Sequence, residues 1–330
     1  MPSYKYVGSD PGLWTDPQNW DAGLVPLWDD GSAVGLSGSR VTMHDIEPNN
    51  MTVNAGSASG TSTTGIVLDN AAFGPGLDVR VTSAAPQIGP YDDTRLDIGI
   101  VGYDTNYGTI EATHPQGSAG SYFLAMSVGS GSQLNNEGMI VADGHAVPSY
   151  SQDTILAIGS ADSYNRGTLN NDGQIKIFDD TVASIEPAVV GTGTITLARP
   201  IGGMAGAFPE VNGAYPQLTF LTSVAATQTV ELDAGQITLY VPISQPQRFD
   251  ATIAGWNSQG QVLLAAPFQG SSVAYTPTSP GHGDLTVSSA VTTSGQAVAQ
   301  SIDLHLAGNY KTSDFVLTNN YLGTIVSIHG

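Results

Sequence analysis

A seven-residue segment recurs at a fixed spacing in the middle of this chain. Leu-Asn-Asn-Glu-Gly-Met-Ile at residues 134–140 returns as Leu-Asn-Asn-Asp-Gly-Gln-Ile at residues 169–175, a shift of 35 residues, and a looser copy occupies residues 106–110. Each copy combines an Asn/Gly turn with a short apolar strand. Repetition at this period predicts a stack of similar units, because one such unit cannot bury its apolar face alone.

A second apolar stretch precedes each turn, at residues 96–100, 123–128 and 155–158. Each period therefore contains at least two strands, and strands of successive units are expected to pair about 4.8 Å apart. The sequence predicts an all-β fold, a parallel β-helix (β-solenoid). Asn tolerates the left-handed backbone of a corner, and stacked Asn side chains can form a hydrogen-bonded ladder. The predicted turn ladder comprises Asn106, Gly108, Asn135, Asn136, Gly138, Asn170, Asn171 and Gly173.

The composition favours strands and excludes some partners. With 40 Gly, 19 Pro and only 12% charged residues, little of the chain can form amphipathic helices. The formal net charge of -20 would repel DNA and RNA, so we expect no nucleic-acid partner. The absence of cysteine excludes disulfides and thiolate metal sites. We expect no cofactor, with Ca²⁺ as a candidate counterion for the carboxylates, although no Gly-Gly-x-Gly-x-Asp repeat occurs.

The ends of the sequence inform the expected location. The first residues contain no apolar signal region, and no stretch approaches the roughly 18 apolar residues that span a bilayer. An acidic, cysteine-free, Gly-rich β-protein suits export with folding outside the cell. We therefore predict an extracellular or bacterial cell-surface protein that is exported without an evident N-terminal signal peptide and has no membrane span.

Three of the four tryptophans, Trp14, Trp20 and Trp28, lie among prolines in the first 30 residues. Bulky aromatic residues can cover the open core of a first coil, so this segment is predicted to be a cap. A platform for sugar stacking or a subunit-docking patch is the alternative. We predict an N-terminal cap or assembly segment at 1–30, a solenoid at 31–205 and a C-terminal β module at 206–330, with the junction in the Gly- and Pro-rich stretch 200–216.

Two regions resemble β-helical surface proteins of proteobacteria. Residues 12–26, with Trp14, Asn19, Trp20 and Pro26, resemble the opening of autotransporter passengers and filamentous adhesins. The last third is similar to a recurrent module of large exported surface proteins. Its ending matches Leu306, Gly308, Tyr310, Phe315, Leu317, Gly323 and Thr324.

The last third also departs from that module in two places. Trp256 replaces its usual Phe, and residues 258–262 lack its Asp-containing strand start. The resemblance implies surface location and β architecture rather than a reaction. The alternating apolar spacing leaves two arrangements open for this part, a continuation of the coil or a separate sandwich.

Residues suited to catalysis are few. No Gly-x-Ser-x-Gly, His-Glu-x-x-His or phosphate-binding Gly-Lys-Ser/Thr motif occurs, although His114 and His145 each follow a repeat strand and could form a pH-sensitive or metal-binding pair. A polysaccharide lyase or hydrolase would need paired carboxylates beside a basic residue. The candidates are Asp92, Asp93, Asp143, Asp179 and Asp180, with Arg95, Arg166 and Lys176.

The preferred functional prediction is structural and not enzymatic. The chain is expected to self-assemble into an extracellular filament, biofilm matrix or surface layer, because a head-to-tail contact makes an open fibre. Strand donation is assigned to the first ten residues, with Tyr4 and Tyr6, and to Ile325, Val326 and Ile328. The partner is another copy of the chain, with cell-surface polysaccharide as a further candidate. A polysaccharide-degrading β-helix enzyme and an adhesin or receptor-binding spike are the alternatives.

Overall fold

The computed structural model confirms the predicted fold class: the chain is all-β and its long sheets are built from parallel strands. The structure describes residues 3–8, 12–26, 33–36, 40–44, 46, 51–55, 64–81, 94–113, 122–144, 154–159, 167–178, 181–199, 215–239, 249–265, 268–293 and 296–329.

The strands of the coils are short. In chain order they are β1 Ser3–Lys5, β2 Gly12–Leu13, β3 Ala33–Leu36, β4 Arg40–His44, β5 Thr52–Ala55, β6 Thr64–Asp69, β7 Ala72–Phe73, β8 Asp78–Val81, β9 Thr94–Val101, β10 Tyr103–Asn106, β11 Thr109–Thr113, β12 Tyr122–Val128, β13 Gln133–Asn136, β14 Met139–Asp143, β15 Thr154–Gly159, β16 Thr168–Asn171, β17 Gln174–Ile177, β18 Thr181–Ile185, β19 Ala188–Val190, β20 Thr194–Leu197, β21 Gln217–Phe220, β22 Thr229–Leu232, β23 Gly235–Leu239, β24 Thr252–Ala254 and β25 Gly260–Ala265. Five further strands follow: β26 Gly270–Ser279, β27 His282–Thr293, β28 Gln296–Ala307, β29 Phe315–Asn320 and β30 Gly323–Ile328. Two 3-10 turns lie at Pro17–Asn19 and Thr312–Asp314.

The described strands form three sheets. Sheet I has the order β1-β3-β5-β8-β11-β14-β17-β20-β22-β24-β28-β27-β26, and sheet II has the order β2-β4-β6-β9-β12-β15-β18-β21-β23-β25-β30-β29. Sheet III is the five-stranded set β19-β16-β13-β10-β7. In the central coils the chain passes from sheet II through sheet III to sheet I. The 35-residue shift places β13 beside β16 and β14 beside β17, in register and parallel.

Inward side chains stack as aliphatic columns. In sheet I, Ile110, Ile140, Ile175 and Ile195 are aligned across successive coils and are fully buried. Alternate residues point outward because the side-chain period of a strand is two. The same alternation therefore sends the residues on either side of these isoleucines to the surface of the coil stack.

An aromatic cap covers the first coil. Trp14 and Trp20 are buried, with ring centroids 4.8 Å apart, and the Trp20 indole Nε1 donates to the Trp14 carbonyl at 2.8 Å. Tyr6 packs edge-on against Trp20 with centroids 5.4 Å apart. The backbone of Lys5 is bonded to Asp21 through both its N–H and its carbonyl, so the outer edge of β1 is covered here.

The C-terminal third continues the coil, one of the two arrangements that the sequence left open, and then adds antiparallel strands to the same sheets. Parallel pairing continues past residue 205 to β25, and then β28, β27 and β26 extend sheet I while β30 and β29 extend sheet II. In these extensions β30 is antiparallel to β25, and β27 is antiparallel to both β26 and β28. The outermost strands, β26 and β29, consequently run in the same direction as the coil strands. Residues 268–329 form a two-layer antiparallel cap on the stack.

The residues that resemble the surface-protein module build this cap. Tyr310 and Phe315 have ring centroids 5.5 Å apart, and the Tyr310 hydroxyl donates to the Trp256 carbonyl at 3.0 Å. Buried Thr324 accepts a hydrogen bond from the Gly270 N–H at 2.6 Å and so joins the two layers. The residues of the motif therefore contribute packing and hydrogen bonds to the cap.

Candidate functional site

A ladder of buried amides runs along the coil axis from the ends of the sheet III strands. The Nδ2 of Asn106 donates to Asn136 Oδ1 at 2.8 Å, and that of Asn136 donates to Asn171 Oδ1 at 2.7 Å. Asn171 Nδ2 then donates to Gln228 Oε1 at 3.0 Å, and all four residues are fully buried. The ladder begins at Asn106, whose Oδ1 accepts no hydrogen bond, because the preceding coil places Phe73 at the paired position.

A second, weaker column of amides lies on the outer side. Asn170 Nδ2 donates to Asn135 Oδ1 at 3.3 Å, and Asn135 Nδ2 donates to the Thr105 hydroxyl at 3.4 Å. These side chains are half-buried, so water competes for the same donors and acceptors. Adjacent asparagines of one repeat thus occupy opposite faces of the strand.

A column of glycines follows the amides at the corner between sheets III and I. A Cβ added at Gly138 would overlap the Gly108 carbonyl oxygen, and one at Gly173 would overlap the Gly138 carbonyl. Gly193 meets the Gly173 carbonyl in the same way. Glycine is required at this corner because each coil lies directly against the backbone of the coil before it.

The glycine column is the floor of a surface groove of about 690 Å³. The residue before each glycine and the first strand residue after it form the two walls. The first wall contains Tyr107, Glu137, Asp172 and Thr192, and the second contains Asp78, Thr109, Met139, Gln174 and Thr194. From the coil of Asp78 to that of Thr194 there are four coil steps, about 19 Å at the spacing of paired strands. We call this feature the corner groove.

The carboxylates of the corner groove are mostly engaged. Asp172 accepts hydrogen bonds from the Thr192 N–H at 2.8 Å and the Thr192 hydroxyl at 3.0 Å, which lowers the pKa of this carboxyl. Asp78 Oδ2 pairs with the Arg80 guanidinium, with Nε at 2.7 Å, whereas Asp78 Oδ1 is buried and accepts no hydrogen bond. Glu137 is exposed and forms no ion pair with a described residue.

A buried carboxylate lies in the coil of Tyr103. Asp104 is fully buried and accepts hydrogen bonds from the N–H groups of Ala71 at 2.7 Å and Val101 at 3.0 Å. Burial raises the pKa of Asp104 to about 6, against the opposing effect of these two N–H donors. This carboxyl joins one coil to the next through Ala71.

The predicted catalytic and metal-binding residues are dispersed. Asp143 is buried at the end of β14, Arg95 binds Asp97 at 2.7 Å, and Lys176 lies in β17. The remaining candidates, Asp92, Asp93, Asp179, Asp180, Arg166, His114 and His145, lie outside the described residues. Within the described ranges there is no group of three or more His, Asp or Glu residues arranged to hold a metal ion.

The predicted assembly segments are paired within the chain. Tyr4 and Tyr6 are buried in the first coil, where β1 pairs with β3. Ile325, Val326 and Ile328 belong to β30, which has β25 on one side and β29 on the other. Of the predicted cap or docking residues, Trp14 and Trp20 face the core and Trp28 lies outside the described part.

Some residues of the ladder and the groove were not predicted from the sequence. Gln228 continues the amide ladder 57 residues beyond Asn171 without a repeat motif around it, so no sequence signal identifies it. Tyr107, Glu137 and Asp172 each precede a repeat glycine, and this shared position could have identified one wall of the groove.

No protein-family model matches the chain, and no curated protein matches it. Among the described residues there is no helix of the length and apolar character needed to cross a membrane.

Proposed function

We propose that this chain is an extracellular structural protein whose copies associate end to end into a filament, matrix or surface layer. The observation that carries the proposal is the placement of exposed apolar side chains at both ends of the coil stack. Val7, Leu13 and Leu24 project from the N-terminal cap, and Leu24 is 64% exposed. The C-terminal cap exposes a second set of apolar side chains.

That second set lies on the edge of sheet II. It comprises Val316 in β29 and the turn residues Tyr321 and Leu322, and Tyr321 is 88% exposed. The two sets account for six of the eleven large apolar side chains that are exposed in the described part of the chain. Exposed apolar side chains that are grouped in one region of a protein are typical of interaction sites.

The strand directions also favour another copy of the chain as the partner. The strands β26 and β29 run in the same direction as the coil strands. The outermost strand of each of the two long sheets therefore has the same direction at the C-terminal end as at the N-terminal end. A contact between different ends is heterologous, and repetition of such a contact gives an open fibre.

The contact is proposed to use side chains rather than strand donation. At the N-terminal end, Lys5 is already bonded to Asp21. At the other end, the Tyr275 N–H in β26 donates to Thr312 Oγ1 at 2.9 Å, and Pro277 in the same strand has no N–H. The two outermost strands of sheet I, β1 and β26, therefore discourage strand addition, while the apolar residues of the two ends remain exposed. The net charge of -20 opposes association until salt or calcium screens it.

Single substitutions at opposite ends test this proposal. The full chain, Leu24→Asp and Tyr321→Asp are compared by light scattering and negative-stain electron microscopy over increasing salt, with and without calcium. Tyr103→Asp is the matched control, because Tyr103 is an exposed aromatic residue on the flank of the stack. Circular dichroism establishes that each variant is folded.

The expected result is that the unmodified chain and Tyr103→Asp form fibres or sheets, whereas neither end variant does so alone. A mixture of Leu24→Asp and Tyr321→Asp retains one intact pair of ends and should stop at discrete dimers. Discrete monomers of the unmodified chain under every condition would contradict the proposal, as would fibres formed by either end variant.

A further inference from the structure

The corner groove has the form of a binding site for an extended chain. It follows the stacking direction, and the coils on its floor repeat about every 4.8 Å over its length of about 19 Å. We propose that the corner groove binds a linear, neutral, hydroxyl-rich glycan that lies along the solenoid axis. This site is separate from the two ends that are proposed to associate.

The second wall supplies the polar groups that such a ligand needs. Thr109, Met139, Gln174 and Thr194 occupy equivalent outward positions on successive sheet I strands, so hydroxyl or amide groups occur at three of these four positions along the groove. Asp78 lies at one end of this wall, where its Oδ2 pairs with Arg80.

The charges of the groove select a neutral ligand. Its lining contains three carboxylates and no Lys or Arg, so a uronic-acid polymer or a nucleic acid would be repelled. A polycation would bind less tightly than three free carboxylates would allow, because Asp78 already pairs with Arg80 and Asp172 already accepts hydrogen bonds from Thr192. Glu137 is left as the single exposed carboxylate without such a partner.

Tyr107 adds a surface for the apolar face of a sugar ring. It lies in the first wall and is 40% exposed, and its neighbours along that wall are the shorter or acidic side chains Glu137, Asp172 and Thr192. A partly exposed aromatic ring suits a ligand that is apolar on its faces and polar at its edges. Removal of the Tyr107 ring is therefore expected to weaken ligand binding more than truncation of any other side chain of the groove.

Binding is tested with the full chain by isothermal titration calorimetry. The neutral probes are cellohexaose, laminarihexaose and chitohexaose, and the charged probes are hexagalacturonate and spermine. Tyr107→Ala is expected to weaken binding of the preferred neutral hexamer about tenfold. Gln174→Trp fills the groove with a larger side chain from an exposed position and should abolish binding without altering Tyr107.

Tyr103→Ala is the matched control, because Tyr103 precedes Tyr107 in the same coil and is exposed outside the groove lining. It should bind the neutral hexamer as the unmodified chain does, and thermal unfolding verifies that all three variants remain folded. The proposal is overturned if no neutral hexamer binds at millimolar concentration, if hexagalacturonate or spermine binds more tightly, or if both groove variants bind with unchanged affinity.

Discussion

Replacement of Asn136 by Ala tests whether the buried amide ladder stabilises the coil stack. Asn136 accepts from Asn106 at 2.8 Å and donates to Asn171 at 2.7 Å, so the substitution removes two buried hydrogen bonds. Asn106 Nδ2 retains a contact with the Met139 carbonyl at 3.4 Å, but Asn171 Oδ1 loses its donor. Two net bonds of about 1 kcal/mol each, together with an unsatisfied buried acceptor, give a loss of about 3 kcal/mol in the free energy of unfolding.

Asn135→Ala is the matched control, because the residue is adjacent in the same strand and differs chiefly in burial. Its bonds to Asn170 and Thr105 are longer, at 3.3 and 3.4 Å, and its third bond, from Gln133 Nε2 at 2.5 Å, lies within the same strand. Its side chain is half-buried, so water can replace these partners. A loss of under about 1 kcal/mol is expected. Both variants are measured by urea unfolding, followed by circular dichroism.

Hydrogen exchange locates the effect within the stack. Solenoid stability is roughly a sum of unit and interface contributions, so faster exchange in Asn136→Ala should be largest in β13 and β16. Equal losses in Asn136→Ala and Asn135→Ala would refute the view that burial makes the inner column the stabilising one.

Three further predictions concern the corner, the buried acid and the cap. Gly138→Ala should lose more than about 3 kcal/mol of unfolding free energy, because the added Cβ overlaps the backbone of the preceding coil. Gly131→Ala should lose about 1 kcal/mol, because its φ of +74° is unfavourable for Ala although the added Cβ contacts no other atom. The urea midpoints of the two variants separate the steric cause from the conformational one. Because the folded pKa of Asp104, about 6, exceeds its ordinary value of 3.8, the native state binds the proton more tightly, and the contribution of this group to stability is greatest below about pH 4 and is lost as the pH rises to about 6. Asp104→Asn should remove that slope, and a stability difference from the unmodified chain that is constant between about pH 4 and 7 would contradict this assignment. Trp20→Ala should cost about 3 to 5 kcal/mol and expose the first coil, seen as greater binding of a hydrophobic dye, and an unchanged urea midpoint would show that the cap does not protect the core.

The parallel stack was predictable from the sequence because its signal is local and repeated. Residues 134–140 and 169–175 are nearly the same in sequence. Similar turns therefore place similar strands at the same position in each coil. In-register pairing then places Asn136 beside both Asn106 and Asn171. The alternation of apolar residues assigns inward and outward faces in the same way.

The position of Gln228 in the ladder was not predictable. It lies 57 residues from Asn171 with no repeat motif around it, and its amide reaches Asn171 past the intervening coil of β19, where it also donates to the Val190 carbonyl. A long-range contact of this kind depends on how many residues each intervening coil uses. Single-sequence periodicity does not record that number.

The direction of the C-terminal strands could not be predicted from the sequence either. Period-two alternation is the same in parallel and antiparallel strands, so β23 and β30 have similar patterns although one continues the coil and the other reverses it. The direction of each strand depends on its pairing partner. For β30 that partner is β25, from which it is separated by four intervening strands.

The class of fold, the repeating turn and the inward columns follow from the amino-acid sequence, because they depend on local conformational preference and on the two-residue period of a strand. The side chains that remain exposed at the ends and those that enclose the corner groove are known only from the folded chain. Those features join residues from coils that are far apart in the chain, and their positions arise when separate coils come into register.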